Sequence, residues 1–190
     1  VIKALHLLGI GDEQIHKVPC DDQGRIIPSL VPEMDDHTIC VLQAGNVNSG
    51  AFDPFEEICR KANECGAWVH IDGAFGLWAA GSKRFKQLTE GVNLADSWSV
   101  DAHKTLNTPY DSGILLCKDK EALLNAMYAS GAYIIGGDKR DGMYYTPEMS
   151  RRGRIIELWA TLKYLGQEGL EKLLSQLHER TRQFAEILRK

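Results

Sequence analysis

Two short runs in this chain each end in a cluster of ionisable residues. Trp68-Val69-His70-Ile71 leads into Asp72-Gly73-Ala74, and Ala95 to Val100 leads into Asp101-Ala102-His103-Lys104-Thr105. Short runs rich in Val, Ile and Trp read as strands. Ile39–Ala44 and Gly113–Cys117 read the same way. Between the first two strands, Asp53 fits an N-cap and Pro54 a first helical position, with a helix to Glu64 closed by Gly66. Strands alternating with helices, and apolar on both faces, imply a parallel sheet covered by helices. In such sheets ligands bind beyond the carboxyl ends of the strands. The loops after Ala44, Ile71 and Val100 are therefore expected at one edge.

The remaining segments divide into local elements. A helix is expected over Val1–Leu8, closed by Gly9 and Gly11, and a short strand over Ile15–Val18. Asp21–Gly24 is turn chemistry, and Pro28–Asp36, Ser82–Thr89 and Glu121–Ser130 fit helices. Gly45–Gly50 is a polar loop. Gly131–Pro147, rich in Gly, Tyr and charge, reads as a long loop of the kind that is usually functional or disordered. Helices follow over Arg154–Leu165 and Glu168–Lys190. One apolar stripe holds Ile155, Leu158, Trp159, Leu162 and Leu165, and another holds Leu170, Leu173, Leu174 and Leu177. The first residues are already an apolar segment in progress, and the last helix has no cap, so part of a longer protein is expected.

Composition narrows the partners. A net charge of −4 gives no electrostatic reason to expect nucleic acid or an anionic membrane. No apolar run approaches a membrane span, and Val1 opens no signal-peptide pattern. The five cysteines are odd in number and lack a CxxC, which favours free thiols and a cytoplasmic setting. The six histidines show no metal-ligand spacing, so no metal is expected.

Lys104 and Asp72 carry the chemistry. A lysine can form a Schiff base with an aldehyde cofactor, and an aspartate can keep a pyridine nitrogen protonated so that the ring accepts electrons. That pairing describes a pyridoxal phosphate (PLP) site. Each residue has a plainer reading: a surface lysine in a turn, and an aspartate capping the segment after Gly73. His103 suits a phosphate contact or a structural role equally. Ala74 is small enough for a flat ring to approach. His70 shares a face with Asp72 and reads as a core histidine bonded to backbone. Asn46, Asn48 and Ser49 form a loop able to bond cofactor or substrate, or an ordinary turn. Arg151 and Arg152 read as a solvated pair or an anion anchor.

Trp68–Ala74 and Ser99–Lys104, with Asp111-Ser112-Gly113 behind them, resemble the PLP-dependent group II amino-acid decarboxylases, the family of the aromatic-amino-acid, glutamate and tyrosine decarboxylases. Ser150-Arg151-Arg152, Leu158-Trp159-Ala160 and Leu165-Gly166 resemble the family's segment after its mobile loop. The resemblance implies an α/β fold, the large domain of type I PLP-dependent transferase-like enzymes, incomplete at its N-terminus. It implies residues 1–146 in that domain and 147–190 leading into a small C-terminal domain. It also implies a homodimer acting on an L-amino acid, with Lys104 holding PLP, Asp72 on the ring nitrogen, Ala74 beside the ring, His103 and Asp101 near the phosphate, and Asn48 facing the cofactor. In the family a loop tyrosine often takes part in returning a proton to the alpha carbon, and Tyr144 and Tyr145 lie in the matching loop. Asp101 replaces the family's common asparagine, and Thr105 stands where a bulky residue is frequent. Rival readings are a PLP-dependent carbon–carbon lyase of the sphingosine-phosphate lyase type and a non-catalytic relative of the fold.

Overall fold

The structure, a computed structural model, describes residues 1–135, 137 and 140–189. Gly136, Asp138 and Lys139 of the expected long loop, and Lys190 of the last expected helix, lie outside the described residues. Helices form at Ile2–Leu7 (α1), Phe55–Glu64 (α2), Lys120–Met127 (α3) and Ile155–Leu188 (α4). Strands form at Ile39–Gln43 (β1), Trp68–Asp72 (β2), Ser97–Asp101 (β3) and Gly113–Cys117 (β4), and pair in the order β1-β2-β3-β4.

The β1–β2 and β2–β3 pairs are parallel, as expected, but β4 runs antiparallel to β3. The connection over 102–112 carries no helix, and a parallel return normally needs one. The register sets Gln43 beside Asp72 and Asp72 beside Ser99, so β1, β2 and β3 end together.

One face of the sheet is the main core. Leu42, Ala44, Val69 and Ile71 pack against Phe55, Ile58, Cys59 and Ala62 of α2. Each fully buried large side chain there contributes about 1.5–3 kcal/mol. The other face of β2 and β3 is polar, which corrects the expectation of strands apolar on both faces. It carries a hydrogen-bonded row in which the Trp68 indole donates to Ser97 Oγ at 2.9 Å and His70 Nδ1 lies 2.8 Å from the same oxygen. His70 is thus bonded to side chains, not to backbone.

Several local expectations are also corrected. Ile15–Val18 forms no strand, and the nearest pairing is a bridge between Cys20 and Ile26. Pro28–Asp36 shortens to one turn, Pro28–Leu30, because Val31 precedes Pro32 and turns extended. Ser82–Thr89 is likewise reduced, to the turn Lys86–Thr89. Asp53 does not cap α2. Its buried carboxylate accepts from the backbone N–H groups of Ile26 (2.8 Å) and Gln43 (2.7 Å), which tie the 20–27 segment to β1.

A second core fastens the C-terminal helix to the sheet. Leu158 and Leu170 of α4 join Ala102 and Leu106, with Trp78, Ile114, Leu165, Leu173 and Leu174 packed around them. The two expected helices are continuous except at Gly166, whose φ of 57° breaks the helical path at a value that favours glycine. Ile155 and Trp159, expected on the buried stripe, are exposed. Among the described residues no helix is long and apolar enough to cross a membrane.

Candidate active site

The two charge-bearing strand ends are joined by backbone. Gly73 N–H donates to Ser99 O at 2.8 Å and Asp101 N–H donates to Ala74 O at 3.3 Å. The Thr105 hydroxyl then donates to Phe75 O at 3.0 Å, and the Trp78 indole donates to Asp101 O at 3.1 Å. A Cβ on Gly73 would stand 2.5 Å from Leu77 Cβ, so the approach requires glycine there. The β1 end joins too: Ala44 N–H donates to Asp72 O at 2.8 Å and Gly76 N–H to Ala44 O at 3.0 Å. These bonds bring the Asp72 and Lys104 segments to one edge.

Asp72 is half-buried, and its Oδ1 accepts from Ala74 N–H at 3.2 Å. The local capping role is therefore present. Among the described residues Oδ2 accepts no hydrogen bond, so this carboxylate keeps one oxygen for another donor. On the same face His70 stands two residues back, near Ser97 Oγ (2.8 Å) and Ser99 Oγ (3.4 Å). Ser97 Oγ accepts from the Trp68 indole and also lies against His70 Nδ1, so one hydroxyl links the two side chains. Burial holds the His70 pKa below its ordinary value, against the opposing pull of Asp72.

Lys104 is half-buried between a charge and a ring. Its Nζ lies 3.1 Å from Asp101 Oδ2 and 4.1 Å from the centroid of the Phe75 ring. His103 Nε2 stands 3.5 Å from the same Asp101 oxygen. His103 Nδ1 lies 3.0 Å from Ser112 N and 3.1 Å from Ser112 O, and Nε2 faces Asp101. Tyr110 lies over the His103 ring with centroids 4.0 Å apart. Ala102 and Leu106, on either side of the His103–Thr105 run, are buried under α4.

The other expected site residues lie apart from this cluster. Asn46 Oδ1 accepts from the backbone of Asn48 (2.9 Å) and Ser49 (3.3 Å), so Asn46 organises the loop. Asn48 itself is exposed. Tyr144 stacks on Tyr128 with centroids 6.3 Å apart, and Tyr145 lies under the Arg140 guanidinium at 4.1 Å. Among the described residues neither tyrosine bonds to Lys104 or Asp72. Arg151 and Arg152 pair with Glu148 and Glu157, and Arg154 pairs with Asp111. Phe75 and Tyr110 have no part in the sequence reading, and Ser112 enters it only within Asp111-Ser112-Gly113. Only the aromatic that follows Ala74 offered any signal, and a lone aromatic after a strand is usually core.

Comparisons with known proteins place the chain among decarboxylases. A curated relative, the acidic amino acid decarboxylase GADL1 of Mus musculus, is 30% identical over 99% of the chain and 37% of its own length. The aromatic-L-amino-acid decarboxylase of Bacillus atrophaeus is 31% identical over 87% of the chain and 37% of its own length. A crystal structure of mouse CSAD superposes with a TM-score of 0.87 at 25% identity, covering 99% of the chain and 41% of the crystallised one. The chain thus spans well under half the length of each. The model of the pyridoxal-dependent decarboxylase conserved domain matches residues 3–190, and the chain belongs to that family.

Proposed function

We propose that the full-length protein is a pyridoxal-phosphate-dependent decarboxylase that converts an L-amino acid to its amine and carbon dioxide. The observation that carries the reading is the interlocked pair of strand ends. It brings a lysine able to bind an aldehyde and a carboxylate with an unused oxygen to one edge of the sheet in a chain of this family. The residues fit the cofactor. The Asp72 Oδ2 atom can accept from a ring N–H, and the small Ala74 side chain leaves room for a flat ring. Bound pyridoxal phosphate supplies the aldehyde and a protonated ring that takes up the electron pair left by the departing carboxylate.

The chain's own residues have separable tasks. Lys104 would hold the cofactor through its aldehyde. Asp72 keeps a proton on the ring nitrogen by its charge. His103, held by the Ser112 backbone, would stand near the cofactor phosphate. Asn48, on the exposed turn after β1, is the weakest member of the set. Tyr144 or Tyr145 would return a proton to the substrate carbon. We place the large domain at 1–146 and the start of the next at 147–190, with Leu158 and Leu170 fastening the two.

A homodimer in a reducing, cytoplasmic setting completes the reading. It is supported by the exposed Ile155, Ile156 and Trp159 on α4 and by five free thiols. The lyase alternative needs basic groups free for a phosphorylated substrate, whereas Arg151, Arg152 and Arg154 each face a carboxylate.

The test is the visible spectrum of the full-length protein with pyridoxal phosphate. A Schiff-base band absent from Lys104→Ala is expected. Identical spectra for the two proteins would sink the assignment. Carbon dioxide release across acidic and aromatic amino acids then defines the substrate.

A further inference from the structure

Asp101 stands where the resemblance implies a phosphate contact, yet its geometry points elsewhere. A carboxylate is a poor neighbour for a phosphate dianion, and its Oδ2 atom instead lies 3.1 Å from Lys104 Nζ and 3.5 Å from His103 Nε2. From the other side the Phe75 ring lies 4.1 Å from the same Nζ. Both partners attract an ammonium and offer little to a neutral amine. The contact is shielded, with the Lys104 and Asp101 side chains 28% and 23% exposed. Asp101 is itself anchored, through its backbone N–H to Ala74 and its carbonyl to the Trp78 indole. The clamp is therefore built on the interlocked strand ends rather than on a free surface pair.

We infer that Asp101 is a positioning residue that parks the Lys104 ammonium against Phe75 in the cofactor-free protein and thereby slows capture of the cofactor aldehyde. The inference rests on the cofactor reading above. Capture needs the nitrogen lone pair. The ammonium first releases a proton to solvent, and its nitrogen then adds to the aldehyde carbon. Water leaves as the carbon–nitrogen double bond forms, with no oxidant or reductant involved. Asp101 holds the nitrogen against Phe75 before this sequence, so the pair must part before capture begins. The titratable groups facing Lys104 among the described residues are Asp101 and, beyond it, His103, and from the segment after β2 the Phe75 ring meets it.

The experiment uses the full-length protein stripped of cofactor, with wild type, Asp101→Asn, Asp101→Glu and Lys104→Ala compared. Capture is followed by absorbance after adding pyridoxal phosphate or pyridoxal, which lacks the phosphate. Borohydride reduction and peptide mass mapping then locate the label. Asn keeps the shape and removes the charge, and circular dichroism checks that each variant is folded. Asp101→Asn is expected to capture both aldehydes about three- to tenfold faster than wild type, the scale of a partly shielded ion pair. Asp101→Glu, which keeps the charge, is expected to restore slow capture.

Equal rates in wild type and Asp101→Asn would overturn the inference, as would slower capture, which would make Asp101 a proton acceptor. Acceleration with pyridoxal phosphate alone would also overturn it, because Asp101 would then act on the phosphate. Absence of label at Lys104 in wild type would instead overturn the cofactor reading itself.

Discussion

The strand-end cluster and the segment over 128–154 carry the expected site residues in opposite ways. Around Asp72 and Lys104, hydrogen bonds join residues far apart in sequence: Ala44 to Asp72, Gly73 to Ser99, Asp101 to Ala74, Thr105 to Phe75. Over 128–154 the hydrogen bonds among the described residues stay within four positions, as from Tyr144 N–H to Asp141 O and Thr146 Oγ1 to Gly142 O. The exception is the Arg154–Asp111 pair. One region is held by the whole sheet, and the other largely by itself. Stability follows that division, because non-local bonds open only when the sheet opens and local ones open alone. A group that must hold a cofactor belongs on the first, and a group that must arrive and leave belongs on the second.

The broadest way to break this contrast is hydrogen exchange on the full-length protein. The amides of Ala44 and Gly73 are expected to exchange about ten-thousandfold more slowly than those of Met143 and Tyr144. Comparable rates would show that the tyrosine segment is as firmly held as the sheet. Next in size is Asp72→Asn, expected to retain aldehyde capture by Lys104 while lowering kcat about a thousandfold, since the electrostatic support of the ring is lost. Unchanged turnover would remove Asp72 from the reaction.

Tyr144→Phe and Tyr145→Phe address the other region. Both are expected to leave capture intact, and the one that loses the proton donor is expected to lose about a hundredfold in kcat. If neither loses turnover, the proton comes from elsewhere and the segment has no chemical task.

The smallest effect concerns the polar sheet face beneath Asp72. Burial lowers the His70 pKa from 6.5, so the unfolded chain takes up a proton that the folded one resists. Stability is then fully present above the unfolded pKa and is lost as pH falls below it. In denaturant titrations His70→Gln is expected to flatten that part of the pH profile. A variant with the same slope as wild type would show that His70 titrates freely.

Much of the site was legible because its chemistry is concentrated in two short motifs. Lys104, Asp72, Ala74 and His103 sit within runs whose spacing alone puts them at strand ends, and α2 followed from its turn chemistry and period. What stayed hidden depended on distant partners. Asp53 reads as a helix cap until Ile26 and Gln43 are seen to claim its carboxylate. Asp101 reads as a phosphate contact until Lys104 is seen against it. The contacts of Phe75, Tyr110 and Ser112 with Lys104 and His103 carry no sequence signal, since an aromatic or a serine acquires such meaning only from what lies across from it.

The amino-acid order by itself determined the strands, the edge at which they end and the family to which the chain belongs, because periodicity and motif spacing are properties of neighbours along the chain. Only the tertiary structure decided that β4 turns antiparallel, that one sheet face is polar, and that Lys104 rests between Asp101 and Phe75. Those outcomes depend on hydrogen bonds and charges between segments distant in sequence, whose energies exist only once the sheet has brought them within reach.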